Sequence, residues 1–294
     1  VRRNLRHPVI GYVFSMPWQP RKYNRQAIAM NLSVSSFFAL NAYAHAALFR
    51  TEDYPWQALG RLKAYLADYP WPQLALPQEA GPVAATLVLH EGVLGEAAGL
   101  TIEYGDATKG GLKVFEDGRL LEGASVIMAG AILAGGPLHI GCGVLIEAGA
   151  FVKGPAVAGD MSEIRHGAYL RGHCLIGARC VVGHATEMKH AILLDDARAG
   201  HFAYVGDSIL GNEVNLGAGT KLANLRFGGS TVPVRTPEGI IDSGLRKFGA
   251  ILGDRVQTGC NSVTNPGVVL GKKSLVLPNA TVPSGFHSGN SLIR

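Results

Sequence analysis

The sequence predicts an all-β chain wound as a left-handed parallel β-helix, preceded by a small, mainly helical N-terminal segment. Three observations predict this. First, from residue 140 the chain keeps a six-residue rhythm: IGCGVL, IEAGAF, VKGPAV, AGDMSE, IRHGAY, LRGHCL, IGARCV, VGHATE, MKHAIL, LDDARA, GHFAYV. Position one is Ile, Leu, Val or Met in nine of these eleven hexads, and position five is Val, Ala, Ser or Cys in the first seven. Neither a helix nor an ordinary strand has period six, but a coil with three flat sides does, with position one inside and position five small enough for a corner. Second, 39 glycines and only 17% charged residues suit a compact chain rich in turns rather than a disordered one. Third, the apolar residues between 54 and 69 recur at helical spacing instead.

The elements follow in order. Residues 1–29 carry Arg2, Arg3, Arg6, Arg21, Lys22 and Arg25, and the first 51 residues contain no acid. Such an arm can bind nucleic acid or anionic lipid. It has no periodic pattern and no apolar run of membrane length, so it reads as a passive, disordered leader, with Met30 an alternative start and no nucleic-acid or membrane partner. Residues 30–75 read as helical: Trp56, Leu59, Leu62, Tyr65 and Leu66 share a face ending before Pro70, and SVSSFFALNAYAHAALF is a candidate second helix. The Pro-rich stretch 69–82 reads as a boundary. Short strand-like runs occupy 83–125, with a hairpin at Asp117-Gly118. The β-helix then takes 126–294, interrupted by a non-repeating insertion at 225–250. Cys142, Cys174, Cys180 and Cys260 form no CxxC pair, and no secretory signal precedes them, which predicts reduced thiols and a cytoplasmic protein. Cys174 and Cys180 fall at position five and read as core filling.

Three sides of six residues stack residues eighteen apart, about 4.8 Å from coil to coil. Lys153, Arg171 and Lys189 are so spaced, at position two. A ladder of like charges is repulsive unless solvated or occupied by an anion, and Arg and Lys suit a phosphate. His166 and His184 are also eighteen apart, which raises a metal site like that of the γ-class carbonic anhydrases, which share this coil. His190, six residues beyond His184, falls on a neighbouring side, so the spacing argues against that alternative, and no metal is expected.

The rhythm slips within AGHFAYVGDSILGNEVNLGAGT, residues 199–220. Gly200 stands where an aliphatic residue is expected and Tyr204 where a small one is expected. The next aliphatic position-one residue is Leu210, four residues past the register. A bulge is expected here, of the kind that re-aims side chains beside active sites.

The stretch EMKHAILLDDARAGHFAYVGDSILGNEVNLGAGTKLANL carries a resemblance. Its G-H-x-x-Y-x-G-D core followed by N-x-G-A-G-T is similar to the acetyltransferase half of the bacterial and archaeal bifunctional glucosamine-1-phosphate acetyltransferase/uridylyltransferases. The resemblance covers roughly residues 140–282, and LANLRF and SGLRKFGAILGD are closer to the archaeal type. It implies that His201 is the general base, that Arg171 and Lys189 bind the sugar phosphate, and that Tyr204 and Asn215 contact the sugar. Lys153 is the third rung of the ladder that holds Arg171 and Lys189. Ala218 and Asn224 match acetyl-CoA contacts, Cys260 replaces a cofactor-contacting Ser, Leu225 a Tyr and Pro278 an Ala. Lys247, in the insertion, is placed to reach a CoA phosphate or the sugar.

The implied function is an acetyl-CoA-dependent N-acetyltransferase making N-acetylglucosamine 1-phosphate, a step toward UDP-N-acetylglucosamine, acting as a homotrimer. No Gly-rich nucleotidyltransferase motif precedes the coil, so uridylyl transfer is not expected. The alternative is a non-catalytic β-helix that binds a nucleotide sugar as sensor or scaffold.

Overall fold

The computed structural model describes residues 32–74 and 81–294. The basic leader and part of the Pro-rich stretch lie outside them. From Ser125–Ile127 to Leu292–Ile293 the chain coils as expected, and its short strands stack into three parallel faces, here called by their strand numbers of nine, eleven and eight. The antiparallel strands Gly81–Pro82, Leu87–His90 and Val93–Glu96 close one end of the nine- and eleven-stranded faces.

The hexad supplies the core. Ile146, Ile164 and Val182 stack in the eleven-stranded face. Val152, Leu170 and Met188 stack in the nine-stranded face, and Ile140, Ala158 and Ile176 in the eight-stranded one. All lie inside one continuous apolar core with Cys174 and Cys180. Each buried aliphatic side chain contributes roughly 1.5–3 kcal/mol, repeated coil after coil.

The slip begins earlier than the rhythm suggests, and it is a pair of deletions rather than a bulge. Met188 pairs with Leu170, yet Leu193 pairs with Ile176, so the corner at Lys189 and His190 is one residue short. The next coil repeats the deficit: Val205 sits on Met188 and Leu210 on Leu193. The inward residues after Met188 are therefore Leu193, Ala199, Val205, Leu210, Leu216 and Leu222, all buried. This corrects three expectations. Gly200 is not an inward position; it lies over Gly183, where a Cβ would collide with the Gly200 carbonyl oxygen. Tyr204 is not at the small corner position, which Ala203 fills; it faces outward in register with Glu187. The next inward residue is Val205, not Leu210.

The insertion leaves from the same corner. Leu222 and Leu252 occupy consecutive inward positions, and the chain between them forms a hairpin of Pro233–Thr236 with Gly239–Asp242. The corner between the nine- and eight-stranded faces thus collects both the deletions and the long loop.

The segment before the coil is less helical than expected. α1 spans only Val34–Phe37, a 3-10 turn takes Ala46–Leu48, and α2 spans Gln57–Ala67. The sequence between 33 and 49 buries Phe37, Phe38, Tyr43, Leu48 and Phe49, a set without helical period, so it drapes rather than coils. What it covers is the outer side of the eight-stranded face. There Val157, Leu175, Ile192, Ile209, Ile251 and Val269 point outward by the strand alternation, and all are buried. Polar contacts pin the cover. The Ala39 N–H donates to Asp254 Oδ2 at 2.8 Å, Asn212 Nδ2 donates to the Ala39 carbonyl at 2.9 Å, and the Tyr69 hydroxyl is 2.6 Å from His139 Nδ1. Among the described residues no helix is long and apolar enough to cross a membrane.

Candidate functional site

Two corners flank the nine-stranded face, and the candidate residues divide between them. At the corner entered from the eleven-stranded face, one column of residues rises coil by coil. His184 pairs with His201. The Gly219 N–H donates to the His201 carbonyl, the Asn261 N–H to the Ala218 carbonyl and the Asn279 N–H to the Cys260 carbonyl. His166, His184, His201, Ala218, Cys260 and Pro278 therefore form one ridge. Their spacings in sequence are unequal because of the deletions and the insertion, so the ridge is not visible as a period. His201 is exposed, and so is Cys260.

His166 and His184 stack as rings 5.8 Å apart, and each Nδ1 is hydrogen-bonded to a backbone carbonyl one coil below, those of Ala148 and His166. Among the described residues no group of three or more His, Cys, Asp or Glu side chains is arranged to hold a metal ion.

The opposite corner is polar and partly buried. The shortened turns place Asp207 directly over Lys189 and His190. Its side chain is 6% exposed, and the carboxylate accepts from Lys189 Nζ at 2.9 and 3.1 Å and from Asn224 Nδ2 at 2.5 Å, and lies 3.0 Å from His190 Nδ1. Burial pushes this carboxyl up, but the hydrogen bonds from His190 and Lys189, the Lys189 charge and Asn224 outweigh it and hold it below its usual value. Arg171, one coil below Lys189, pairs with Glu187 at 2.6 Å. The cation ladder exists in register, since Lys153 pairs with Arg171, but two of its rungs are neutralised by neighbouring carboxylates rather than left to repel.

A recess of about 640 Å³ opens at this corner, floored by Arg171, Lys189, His190 and Asp207 and walled by the insertion through Arg246 and Lys247. Lys63 reaches it from α2. The structure brings Lys247 to the Arg171 and Lys189 side, not to the ridge with Ala218 and Cys260. Lys153 does not line the recess. Asn224 stands between Asp207 and Tyr204, whose hydroxyl it also hydrogen-bonds. It thus lies beside the recess and away from Ala218 and Cys260 on the ridge. Burial, then the Glu187 charge, pushes the Tyr204 phenol up despite that bond, so it stays protonated at neutral pH.

Tyr204 lies on the nine-stranded face between the two corners, which one three-residue strand separates by about 10 Å. Asn215 is placed elsewhere. It pairs with Arg198 and Gln257 and is exposed on the eleven-stranded face, around the His201 corner from Tyr204. Sequence reasoning missed Asp207, His190, Lys63 and Arg246. The G-D of G-H-x-x-Y-x-G-D was a usable signal for Asp207; the other three gather only in space.

The fold and this pair of corners define a hexapeptide-repeat β-helix with an exposed histidine at one corner of its nine-stranded face and a cationic recess at the other. Comparison with known proteins gives that class its relatives. Residues 152–282 match the family model described as the GMPPB C-terminal domain. A bifunctional sugar-1-phosphate nucleotidylyltransferase/acetyltransferase of Sulfurisphaera tokodaii is 41% identical over 101 residues, 34% of this chain and 25% of that one. The bifunctional protein GlmU of Methanococcus vannielii is 40% identical over 101 residues, again 34% of this chain and 24% of that one. An uncharacterized acetyltransferase of Escherichia coli, YaiX, is 34% identical over 113 residues, 38% of this chain and 49% of that one. The match thus spans about a quarter to a half of the curated relatives' own length. The coil of this chain is similar to the β-helix acetyltransferase region of the bifunctional enzymes.

Proposed function

We propose that the chain is an acetyl-CoA-dependent N-acetyltransferase acting on an amino-sugar phosphate, with glucosamine 1-phosphate the first candidate. The observation that carries this reading is the division of labour across one narrow face. His201 stands on a corner ridge with Ala218 and Cys260, and a cationic recess containing Arg171 and Lys189 lies about 10 Å across the face, with Tyr204 between. A sugar phosphate laid across the face would present its phosphate to the recess and its amine toward His201. Acetyl-CoA supplies an acyl thioester, and Ala218 and Cys260 are the ridge residues placed to hold it. His201 takes the proton that the amine loses as its nitrogen bonds to the acyl carbon; the carbon–sulfur bond breaks and the proton ends on the departing thiol. Tyr204 and Asn224 position the sugar, and Asp207 fixes Lys189 and His190 beneath it.

Self-association fits the same reading. Residues 32–74 cover the eight-stranded face, and among the described residues the segment 97–121 packs only on the first coils of the eleven-stranded one, so the surface around the exposed His201 stays open to further copies. Asn215, turned away from Tyr204 within one chain, joins such a site only if a second copy packs at that corner. A homotrimer is the assembly we propose.

A second reading is a β-helix that binds a nucleotide sugar without transferring an acyl group. Departures at both corners favour it: on the ridge Pro278 sits over Gly259, where even a Cβ would collide, and Cys260 departs from the pattern of the bifunctional enzymes, as does Leu225 beside Lys247. One experiment separates the two. With acetyl-CoA and glucosamine 1-phosphate, thiol release should fall by about 10²–10⁴-fold in His201→Ala. Unchanged release, or none from the native chain, refutes the transferase reading.

A further inference from the structure

The recess gathers more positive charge than its own coil can balance. Of its five cations, Arg171 is paired with Glu187 and Lys189 with Asp207. Lys63, Arg246 and Lys247 are exposed and form no ion pair among the described residues. They come from separate segments. Lys63 lies on the open side of α2, whose other side buries Ala58, Leu59, Leu62 and Leu66. Arg246 and Lys247 end the insertion, anchored where Leu225 bridges Lys247 and where the buried Phe248 ring packs 6.0 Å from that of Trp56. The contact that seats α2 is thus the contact that brings these charges together.

Three unpaired cations converging on one recess repel one another, and a bound anion offsets that repulsion. A phosphate monoester fits: it carries about −1.5 to −2 and offers several acceptor oxygens to donors arriving from different sides. A recess of about 640 Å³ is large enough for a phosphorylated sugar. His173, in the recess wall, is held below its ordinary value by burial and then by the charges of His190, Lys63 and Lys189, so their fields do meet there.

We propose that Lys63 and Arg246, with Lys247, bind a phosphate group of the substrate, so that α2 and the insertion supply the direct anion contacts while Arg171 and Lys189, already paired, form the floor. The proposal rests on reading this corner as a sugar-phosphate site.

Calorimetric titration of the full chain with glucosamine 1-phosphate, and separately with UDP-N-acetylglucosamine, tests it. Lys63→Met and Arg246→Gln should each weaken binding about fivefold or more and make the affinity less sensitive to salt. The exposed Lys113→Met, far from the recess, should change neither. Whichever ligand shows the larger loss identifies the source of the phosphate. Wild-type affinity for both ligands in Lys63→Met and Arg246→Gln, or no binding of either ligand by the native chain, overturns the proposal. The two readings fail separately. Weakened binding in a chain that transfers no acetyl group keeps the anion site and ends the transferase reading. Transfer that depends on His201 but is indifferent to Lys63 and Arg246 does the reverse.

Discussion

At the scale of single residues, Asp207 carries more of the corner than any residue to which the resemblance assigned a role. Its carboxylate is buried among three donors, so removing it leaves the Lys189 charge without its partner. Asp207→Ala should cost about 3 kcal/mol, measured by urea unfolding. The pH dependence has a definite sign. The folded carboxyl is held below 3.8, so its stabilisation is fully present above that value and is lost as pH falls through the lower folded value. Native stability should drop on acidification below about pH 4, and Asp207→Asn should flatten that drop. The cysteines give a second test. Burial pushes the Cys174 thiol up to about 12 and raises Cys180 as well, while Cys142 and Cys260 are exposed. Iodoacetamide should label Cys142 and Cys260 alone in the native protein, read by peptide mass spectrometry. On the proposed reading, acetyl-CoA should protect Cys260 but not Cys142. Position five of the hexad already marked Cys174 and Cys180 as core, because a repeat dictates burial residue by residue. It could not mark His190 or Lys63, whose roles depend on neighbours far along the chain.

At the scale of elements, the N-terminal cover shows why propensity alone fell short. α2 was legible because Leu59, Leu62 and Leu66 repeat at helical spacing above a continuous apolar face. The preceding stretch was not, since its aromatic residues satisfy a flat sheet rather than a helix stripe. Trp56 is the main anchor, 1% exposed, stacked on Tyr54 at 4.6 Å and packed against Phe248. Trp56→Ala should destabilise by about 3–5 kcal/mol, seen in the denaturation midpoint, and should loosen Lys63 from the recess. The cover is also sensitive to acid. Burial, then the nearby His139, lowers His45 to about 4, and burial lowers His139 as well. Both bind protons less readily folded than unfolded. Their stabilisation is therefore complete above the ordinary value of 6.5 and is lost for His45 as pH falls from there toward 4. Fluorescence of Trp56 and Trp71 should report loosening of the cover across that window, and His45→Phe should diminish it.

At the scale of the whole molecule, the coil works by register, and one residue per turn decides where the chemistry sits. An eighteen-residue turn at Lys189 and His190 would place the next coil one residue out of step, and Asp207 would miss both. Inserting one glycine after His190 should keep the β-helix by circular dichroism. It should cost stability comparable to Asp207→Ala and, on the proposed reading, weaken sugar-phosphate binding in calorimetry. The sequence by itself determined the coil, its core and the residues of the G-H-x-x-Y-x-G-D motif, because six-residue periodicity and a local motif are written along one dimension. Only the tertiary structure decided that the irregularity is a pair of deletions at one corner and that His201, Ala218 and Cys260 form a ridge. It alone decided that α2 and the insertion close a cationic recess over Asp207. Stacking turns coil number into distance, and a change of a single residue or the insertion of a loop alters that conversion without leaving any periodic trace in the sequence.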